Sequence, residues 1–376
     1  MNSKQRSHAK LLFTPGPLNT SRTVREAMLE DMGSRDDAFI HIVSQVREKI
    51  LKLAVKHGSE GFAVVPMQGS GTFAVEAAIS SLIPKEAKTL VLINGAYGER
   101  IFKMAQKMGR EVDAIRSSET EPISPEALQD FLDAHLEVEF VILVHCETTT
   151  GIMNPIDEVA RVVSDEGRRL MVDAMSSFGG IELDLVQCPV DVLIASSNKC
   201  LEGAPGLGFV VSKKDLLECS ESNSASTCLD LYDQWKGLEK GGQFRFTPPT
   251  HVILALNKAL DQLEQEGGVS ARNIRYRANH KLLMAGMKLL GFQAVITPKL
   301  QSPIISTFYM PEDPKFDFNK FYQLLADKGL VIYPGKLSST ECFRIGSIGD
   351  LRSVDVQILL DAIEGVLETM GVCLLN

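Results

Sequence analysis

The sequence predicts an α/β fold: a mainly parallel sheet covered by helices on both faces, followed by a smaller α+β domain. From residue 61 onward, short apolar runs of strand length alternate with amphipathic runs of helix length. At roughly 100–200 residues per domain, 376 residues suggest two domains, or one large and one smaller. Beyond Gly267-Gly268 the regular alternation gives way to a different order of helices and strands. The expected division is an N-terminal segment over 1–20, a large domain over 21–265 and a small C-terminal domain over 266–376.

Residues 1–10, largely polar, read as a frayed tail, and MNSKQRSHAK has no apolar stretch of the kind a secretory signal needs. Pro15 and Pro17 around Gly16 forbid helix and set a rigid extended turn. Such a turn lines a cleft or crosses the surface, and taken alone the surface crossing is the plainer reading. Ser21 or Thr23 caps a helix running through Met28. Ile40, Val43, Val46, Ile50 and Leu53 space a second helix over Phe39–Val55.

Strands are expected at Phe62–Met67, Thr89–Ile93, Phe140–Val144, Leu170–Val172, Val192–Ala195 and Gly208–Val211. Helices are expected between them at Thr72–Leu82, Gly98–Met108, Pro125–Ala134 and Pro155–Ser164. Short apolar strands of this kind suit a sheet buried on both faces, whose sites lie at the carboxyl ends of its strands. Residues 212–250 are less regular. A long helix from about Pro249 to Glu266 ends at Gly267-Gly268. Then come helix Ala271–Leu290, strands near Ser302–Tyr309 and Val331–Tyr333, helix Phe318–Asp327, strand Cys342–Ile345 and helix Ser353–Met370.

Composition excludes some classes of function. Hydrophobic content of 44% with 23% charged residues is ordinary for a globular protein with a large core. The net charge of −9, from 39 basic and 48 acidic residues with no long basic run, argues against nucleic acid. Seven scattered cysteines form no CxxC pair, so neither a zinc site nor a disulfide framework is indicated, and reduced thiols in the cytoplasm are the economical reading. No apolar run approaches the ~20 residues that span a bilayer.

The chemistry-bearing residues stand where strands end. In DVLIASSNKCLEGAPGLG an apolar run delivers Ser196-Ser197-Asn198 and then Lys199. An amine held among small residues at a buried strand end loses hydration, which lowers its pKa and makes it a nucleophile or Schiff-base former. Gly69-Ser70-Gly71-Thr72 follows a strand and opens a helix, a cradle for phosphate. With Ala74 it also fits G-x-G-x-x-A, but the next strand ends at Ile93-Asn94-Gly95 without the acid a dinucleotide ribose requires. Tyr97, at another strand-to-helix turn, can stack on a planar ring or pack at a helix start. Thr148, Thr149 and Thr150 after His145-Cys146-Glu147 offer hydroxyls to a phosphate or cap a turn. His145 is either an acid–base group or structural. Asp173 ends a buried strand and needs a cation or several donors, unless it caps the next turn; a protonated pyridine nitrogen would suit. Arg344, among apolar residues, can clamp a carboxylate or phosphonate with its fork or pair with an acid.

Taken together, LLFTPGPLNTSRTVREAM, MQGSGTFAVEAA, NGAYGER, HCETTTGIMNPIDE, VDAMSSFGGI, SSNKCLEGAPG, FRFTPPTHVILAL, SPIISTFY and VIYPGK…CFRIGSIG resemble the class V, fold-type I aminotransferases, in their alanine–glyoxylate aminotransferase group. These stretches run from residue 11 to about 349. The resemblance implies the pyridoxal 5'-phosphate (PLP) transferase fold of type I, with a mainly parallel seven-stranded sheet in a large PLP-binding domain. It implies that Lys199 forms the Schiff base and Asp173 partners the pyridine nitrogen. Tyr97 stacks on the ring, where some members carry tryptophan. Ser70, Gly71 and Thr72 form the phosphate cup, and Thr148 and Asn198 lie near the ring hydroxyl and the phosphate. Thr247 reaches the phosphate of a neighbouring subunit, which implies a homodimer with shared sites. Arg344 holds the substrate anion, with Lys336 a further candidate for a phosphonate.

The activity implied is PLP-dependent amine transfer from 2-aminoethylphosphonate to pyruvate, giving phosphonoacetaldehyde and L-alanine in phosphonate catabolism, with no metal and no nucleic-acid or membrane partner. Alternatives are alanine–glyoxylate or serine–pyruvate transfer, a cysteine desulfurase requiring a reactive cysteine on a loop, and a non-enzymatic dinucleotide-binding protein.

Overall fold

A computed structural model describes residues 10–337 and 340–374, without the side chain of Lys336. Apart from Lys10, the expected tail lies outside the described residues, and the Lys336 expectation falls on a side chain outside them.

Seven strands form one sheet: β1 (Phe62–Gln68), β2 (Lys88–Ile93), β3 (Val112–Arg116), β4 (Val138–Val144), β5 (Arg169–Asp173), β6 (Val192–Ser196) and β7 (Leu207–Lys213). Their spatial order is β1-β7-β6-β5-β4-β2-β3. All pairings are parallel except the two made by β7. A parallel return needs a crossover of a dozen or more residues. Only residues 197–206 separate β6 from β7, so the chain turns back on itself directly after the lysine. Strand β3 is not among the expected strands: VDAIR is an edge strand, part-exposed along its length, with no apolar run to announce it.

The helices are α1 (Asp37–Ala54), α2 (Gly71–Leu82), α3 (Ala96–Lys107), α4 (Pro125–Ala134), α5 (Ile156–Asp165), α6 (Leu231–Gly241), α7 (Thr250–Glu266), α8 (Gly268–Leu289), α9 (Phe318–Asp327) and α10 (Ser353–Met370). Helix α6 occupies part of the stretch read as irregular. Asp230 caps it, accepting from Asp233 N at 3.0 Å, and Leu231, Trp235 and Leu238 bury one face. Ser21 caps the short helix Arg22–Glu26 by accepting from Val24 N at 3.3 Å.

Two hydrophobic cores follow. The first surrounds the seven-stranded sheet and takes Ile253, Leu256, Leu260 and Leu263 from α7. The second takes Leu283 and Met287 from α8, while Val269 of the same helix still packs on the first, so the change of core falls within α8, beyond Gly267-Gly268, both at positive φ. In that second core Phe292, Phe308, Phe321 and Phe343 pack ring against ring, with centroids 5.5 Å apart for Phe292 and Phe343. Its sheet is antiparallel, with β8 (Ile305–Tyr309) and β9 (Tyr333–Lys336) flanking β10 (Glu341–Gly346). The strand expected over Val331–Tyr333 divides at Ile332. Leu330–Val331 pairs in parallel with Leu11–Leu12 rather than with β10. Phe13 lies within the second core, and Gly346 N donates to Phe13 O at 2.9 Å. The N-terminal segment is thus tied to the far end of the chain.

Candidate active site

The carboxyl ends of β1, β2, β4, β5 and β6 meet around a cavity of about 200 Å³. Ser70, Gly71, Thr72, Tyr97, Thr148, Asp173, Asn198 and Lys199 all line it, and Arg100, Cys146, Met175 and Ser176 join them. Strands β5 and β6 are parallel neighbours with Asp173 level with Ile194, so the carboxylate and the amine leave adjacent strand ends.

Lys199 follows β6 in a turn. Its Nζ donates to Pro15 O at 2.8 Å. Burial lowers its pKa, while Cys200 and Asp173 nearby raise it by a smaller amount. Pro15 belongs to the segment for which a surface crossing was the plainer reading; the structure instead buries it against the lysine that lines the cavity. Gly16 makes that possible. At φ +120 it adopts a conformation that side chains disfavour, and a Cβ there would stand 2.6 Å from Lys199 Cδ. Behind the lysine, Arg272 Nη1 donates to Cys200 O at 2.8 Å. Glu202, at φ +61, accepts from Arg275 Nη2 at 2.8 Å and Tyr276 Oη at 2.5 Å.

Asp173 is buried, and among the described residues its carboxylate accepts one hydrogen bond, from Met175 N at 2.9 Å. Burial pushes its pKa up to about 6, against smaller opposing effects of that hydrogen bond, Lys199 and Arg100. A buried carboxylate with one neutral donor is short of partners, and a cationic ring nitrogen would complete it.

On the opposite wall, Ser70 is the N-cap of α2 but makes no side-chain capping bond. A Cβ on Gly71 would fall 2.1 Å from Met175 Sδ, so a larger residue there would displace the Met175 side chain from the cavity wall. Tyr97 stands in the first turn of α3, half-buried, with the Arg100 guanidinium 4.8 Å from its ring centroid. Sequence reasoning did not single out Arg100, although it stands one helical turn after Tyr97 and so on the same face.

Two expected residues lie outside the cavity lining. Arg344 reaches its border from β10: Nη1 donates to Thr148 O at 3.0 Å, Nη2 to Pro334 O at 3.0 Å, and the guanidinium lies 5.0 Å from the Tyr333 ring centroid. Thr247 belongs to a separate surface hollow with Ser34, Arg35 and Arg245, where Gln68 Nε2 donates to Thr247 O at 3.3 Å. His145 is structural. It pairs with Ser177 Oγ at 2.9 Å, burial lowers its pKa to about 4, and it lines a different hollow. Asn94, where a dinucleotide site would need an acid, is bonded to Asn154 at 2.8 Å. Cys342 is buried within β10, and burial pushes the Cys146 and Cys200 thiols up, Cys146 to about 12. None is the exposed, low-pKa thiol of a desulfurase loop.

A family model described as aminotransferase class-V matches residues 21–347. The chain belongs to the class V aminotransferases. Curated relatives of this family include a 2-aminoethylphosphonate–pyruvate transaminase of Pseudomonas fluorescens, 46% identical over 364 residues, covering 97% of this chain and 98% of the relative. A second protein of that name, from Burkholderia lata, is 47% identical over 362 residues, covering 96% of each. Among solved class V folds, the pyridoxamine–pyruvate aminotransferase of Mesorhizobium loti superposes with a TM-score of 0.88 at 26% identity, over 99% of this chain and 95% of that one. The seven-stranded sheet, the lysine after β6 and the aspartate ending β5 suit the fold-type I cofactor of class V aminotransferases, PLP. Its phosphate suits the uncapped start of α2, its ring nitrogen the under-bonded Asp173, and its aldehyde the Lys199 amine.

Proposed function

We propose that this protein transfers the amino group of 2-aminoethylphosphonate to pyruvate, releasing phosphonoacetaldehyde and L-alanine, with PLP held between Tyr97, Asp173 and Lys199. One observation supports the chemistry above all: a desolvated amine and an under-bonded carboxylate leave adjacent strand ends into one cavity. The substrate pair rests on the relatives' names at 46–47% identity over almost the whole chain.

When bound, PLP supplies a ring that takes up the negative charge developing at the amine-bearing carbon. Lys199 Nζ holds the cofactor covalently at rest and, once freed, moves the proton at that carbon. Burial, which lowers its pKa, favours the neutral amine that this task needs. Asp173 holds the proton on the ring nitrogen. Ser70, Gly71 and Thr72 receive the cofactor phosphate at the helix start, with Asn198 and Thr148 closing the site beside the ring. Arg344 turns from the Pro334 and Thr148 carbonyls to the phosphonate of the first substrate and the carboxylate of the second. Thr247, exposed on the outer face, would act in a homodimer at the neighbouring copy's phosphate. Free thiols at Cys146, Cys188, Cys200, Cys219, Cys228, Cys342 and Cys373 favour a reducing, cytoplasmic setting. Among the described residues no helix is long and apolar enough to cross a membrane.

The test is to incubate the PLP-loaded protein with 2-aminoethylphosphonate and pyruvate and to measure alanine. Fast alanine–glyoxylate exchange without alanine formation from the phosphonate would overturn the substrate pair. Borohydride treatment that leaves Lys199 unmodified would overturn the cofactor site.

A further inference from the structure

Glu147 is a fully buried carboxylate with no part in the reaction just described. It belongs to a two-residue strand, Cys146–Glu147, that pairs with Ile152–Met153 just beyond β4. Its side chain crosses to the start of α3. Oε2 accepts from Tyr97 N at 3.1 Å and from Gly98 N at 3.3 Å, and Oε1 accepts from Thr149 Oγ1 at 3.0 Å. These backbone amides are the second and third of the helix, the two that an N-cap side chain ordinarily satisfies. Gly95, the local N-cap, makes no side-chain capping bond, and a Cβ there would stand 2.1 Å from Glu147 Cγ. The helix has therefore given up its own cap to admit one from a distant loop. Burial pushes the Glu147 pKa up to about 7, against smaller opposing effects of the Thr149, Gly98 and Tyr97 hydrogen bonds, and its ionised form suits the helix dipole.

That loop is fixed from its other side. Thr149 O accepts from Thr307 Oγ1 at 3.2 Å, a bond that does not depend on Arg344. Glu147 thus joins the strand end carrying Thr148 to the backbone nitrogen of Tyr97.

We infer that Glu147 is a positioning residue: it clamps the first turn of α3 and so sets the height of the Tyr97 ring over the cofactor. This rests on the proposed PLP site, but the clamp can be read without the cofactor. In Glu147→Ala both acceptor oxygens are lost. Hydrogen exchange at the amides of Tyr97 and Gly98 in the apoprotein is expected to quicken about tenfold, near the loss of one cap. The PLP dissociation constant should rise about tenfold, the absorption band of the bound cofactor should shift, and kcat should fall with KM little changed. Gly95→Ala, which pushes Glu147 out while keeping its carboxylate, should reproduce all four changes, and it carries the test if Glu147→Ala does not fold. Unchanged exchange at 97 and 98 overturns the clamp. Faster exchange with unaltered PLP affinity, spectrum and kcat overturns the positioning role. Failure of the parent protein to bind PLP overturns the cofactor reading instead.

Discussion

Asp173 and Glu202 are equally buried, each about 6% exposed, yet their surroundings are opposite. Glu202 accepts from Arg275 and Tyr276 and has Arg272 at 3.8 Å, while Glu266 takes the remaining charge of both arginines at 2.9 and 2.6 Å. Asp173 has one backbone amide. The first carboxylate is finished by its own chain and bolts the lysine turn to α8. The second is left incomplete. A folded chain tolerates an under-bonded buried charge where a ligand will complete it, and the contrast separates architecture from chemistry.

Exchanging each carboxylate for a neutral residue tests that contrast. Asp173→Asn is expected to cost roughly a hundred- to a thousandfold in kcat, because an electrostatic partner of the reacting ring is removed. The variant should still fold, which circular dichroism of the apoprotein would verify. Glu202→Ala should do the reverse and destabilise the protein by about 3–5 kcal/mol, since it leaves two buried arginines to share Glu266 alone. Denaturant unfolding measures this. Equal losses of stability in the two variants would erase the distinction.

The pH dependence sharpens it. The carboxyl of Asp173 has its pKa raised from 3.8 to about 6 on folding, so the folded apoprotein binds this proton more tightly than the unfolded chain does. The ionised group therefore opposes folding. The cost is absent below about pH 4, grows between about pH 4 and 6, and is complete above, on the order of 3 kcal/mol. Apo Asp173→Asn should accordingly unfold at higher urea than the parent at pH 8, with the gap closing as pH falls to 4. A gap independent of pH would mean that Asp173 finds its partners within the chain. The smallest effect is expected at Gly16. Gly16→Ala drives a Cβ towards Lys199 Cδ at a positive φ, costing about 1 kcal/mol of stability and lowering kcat severalfold. Unaltered kcat would show that the Pro15 strap has no hold on the lysine.

Much of this arrangement was legible from residue types. Lys199, Asp173, Tyr97 and the Ser70–Thr72 turn each follow an apolar strand, and in a parallel sheet every such strand end points to one edge. Elements with weak or non-local signals were not. VDAIR carries no apolar run because one edge of β3 is unpaired. Helix α6 did carry a signal, Asp230 followed by Leu231, Trp235 and Leu238 at helical spacing, obscured by the irregular sequence on either side. Glu147 caps a helix some fifty residues earlier in the chain, and no local pattern announces such a pairing. Pro15 contributes a main-chain oxygen, which residue type does not reveal.

That oxygen has a consequence for the order of events during synthesis. The strap that meets Lys199 is seated by Leu330–Val331 and by Gly346, near the other terminus. A ribosome must therefore have passed Gly346 before the strap gains both of its supports. A nascent chain that has already produced every residue lining the cavity, the last of them Lys199, still lacks the strands that hold Pro15 against that lysine.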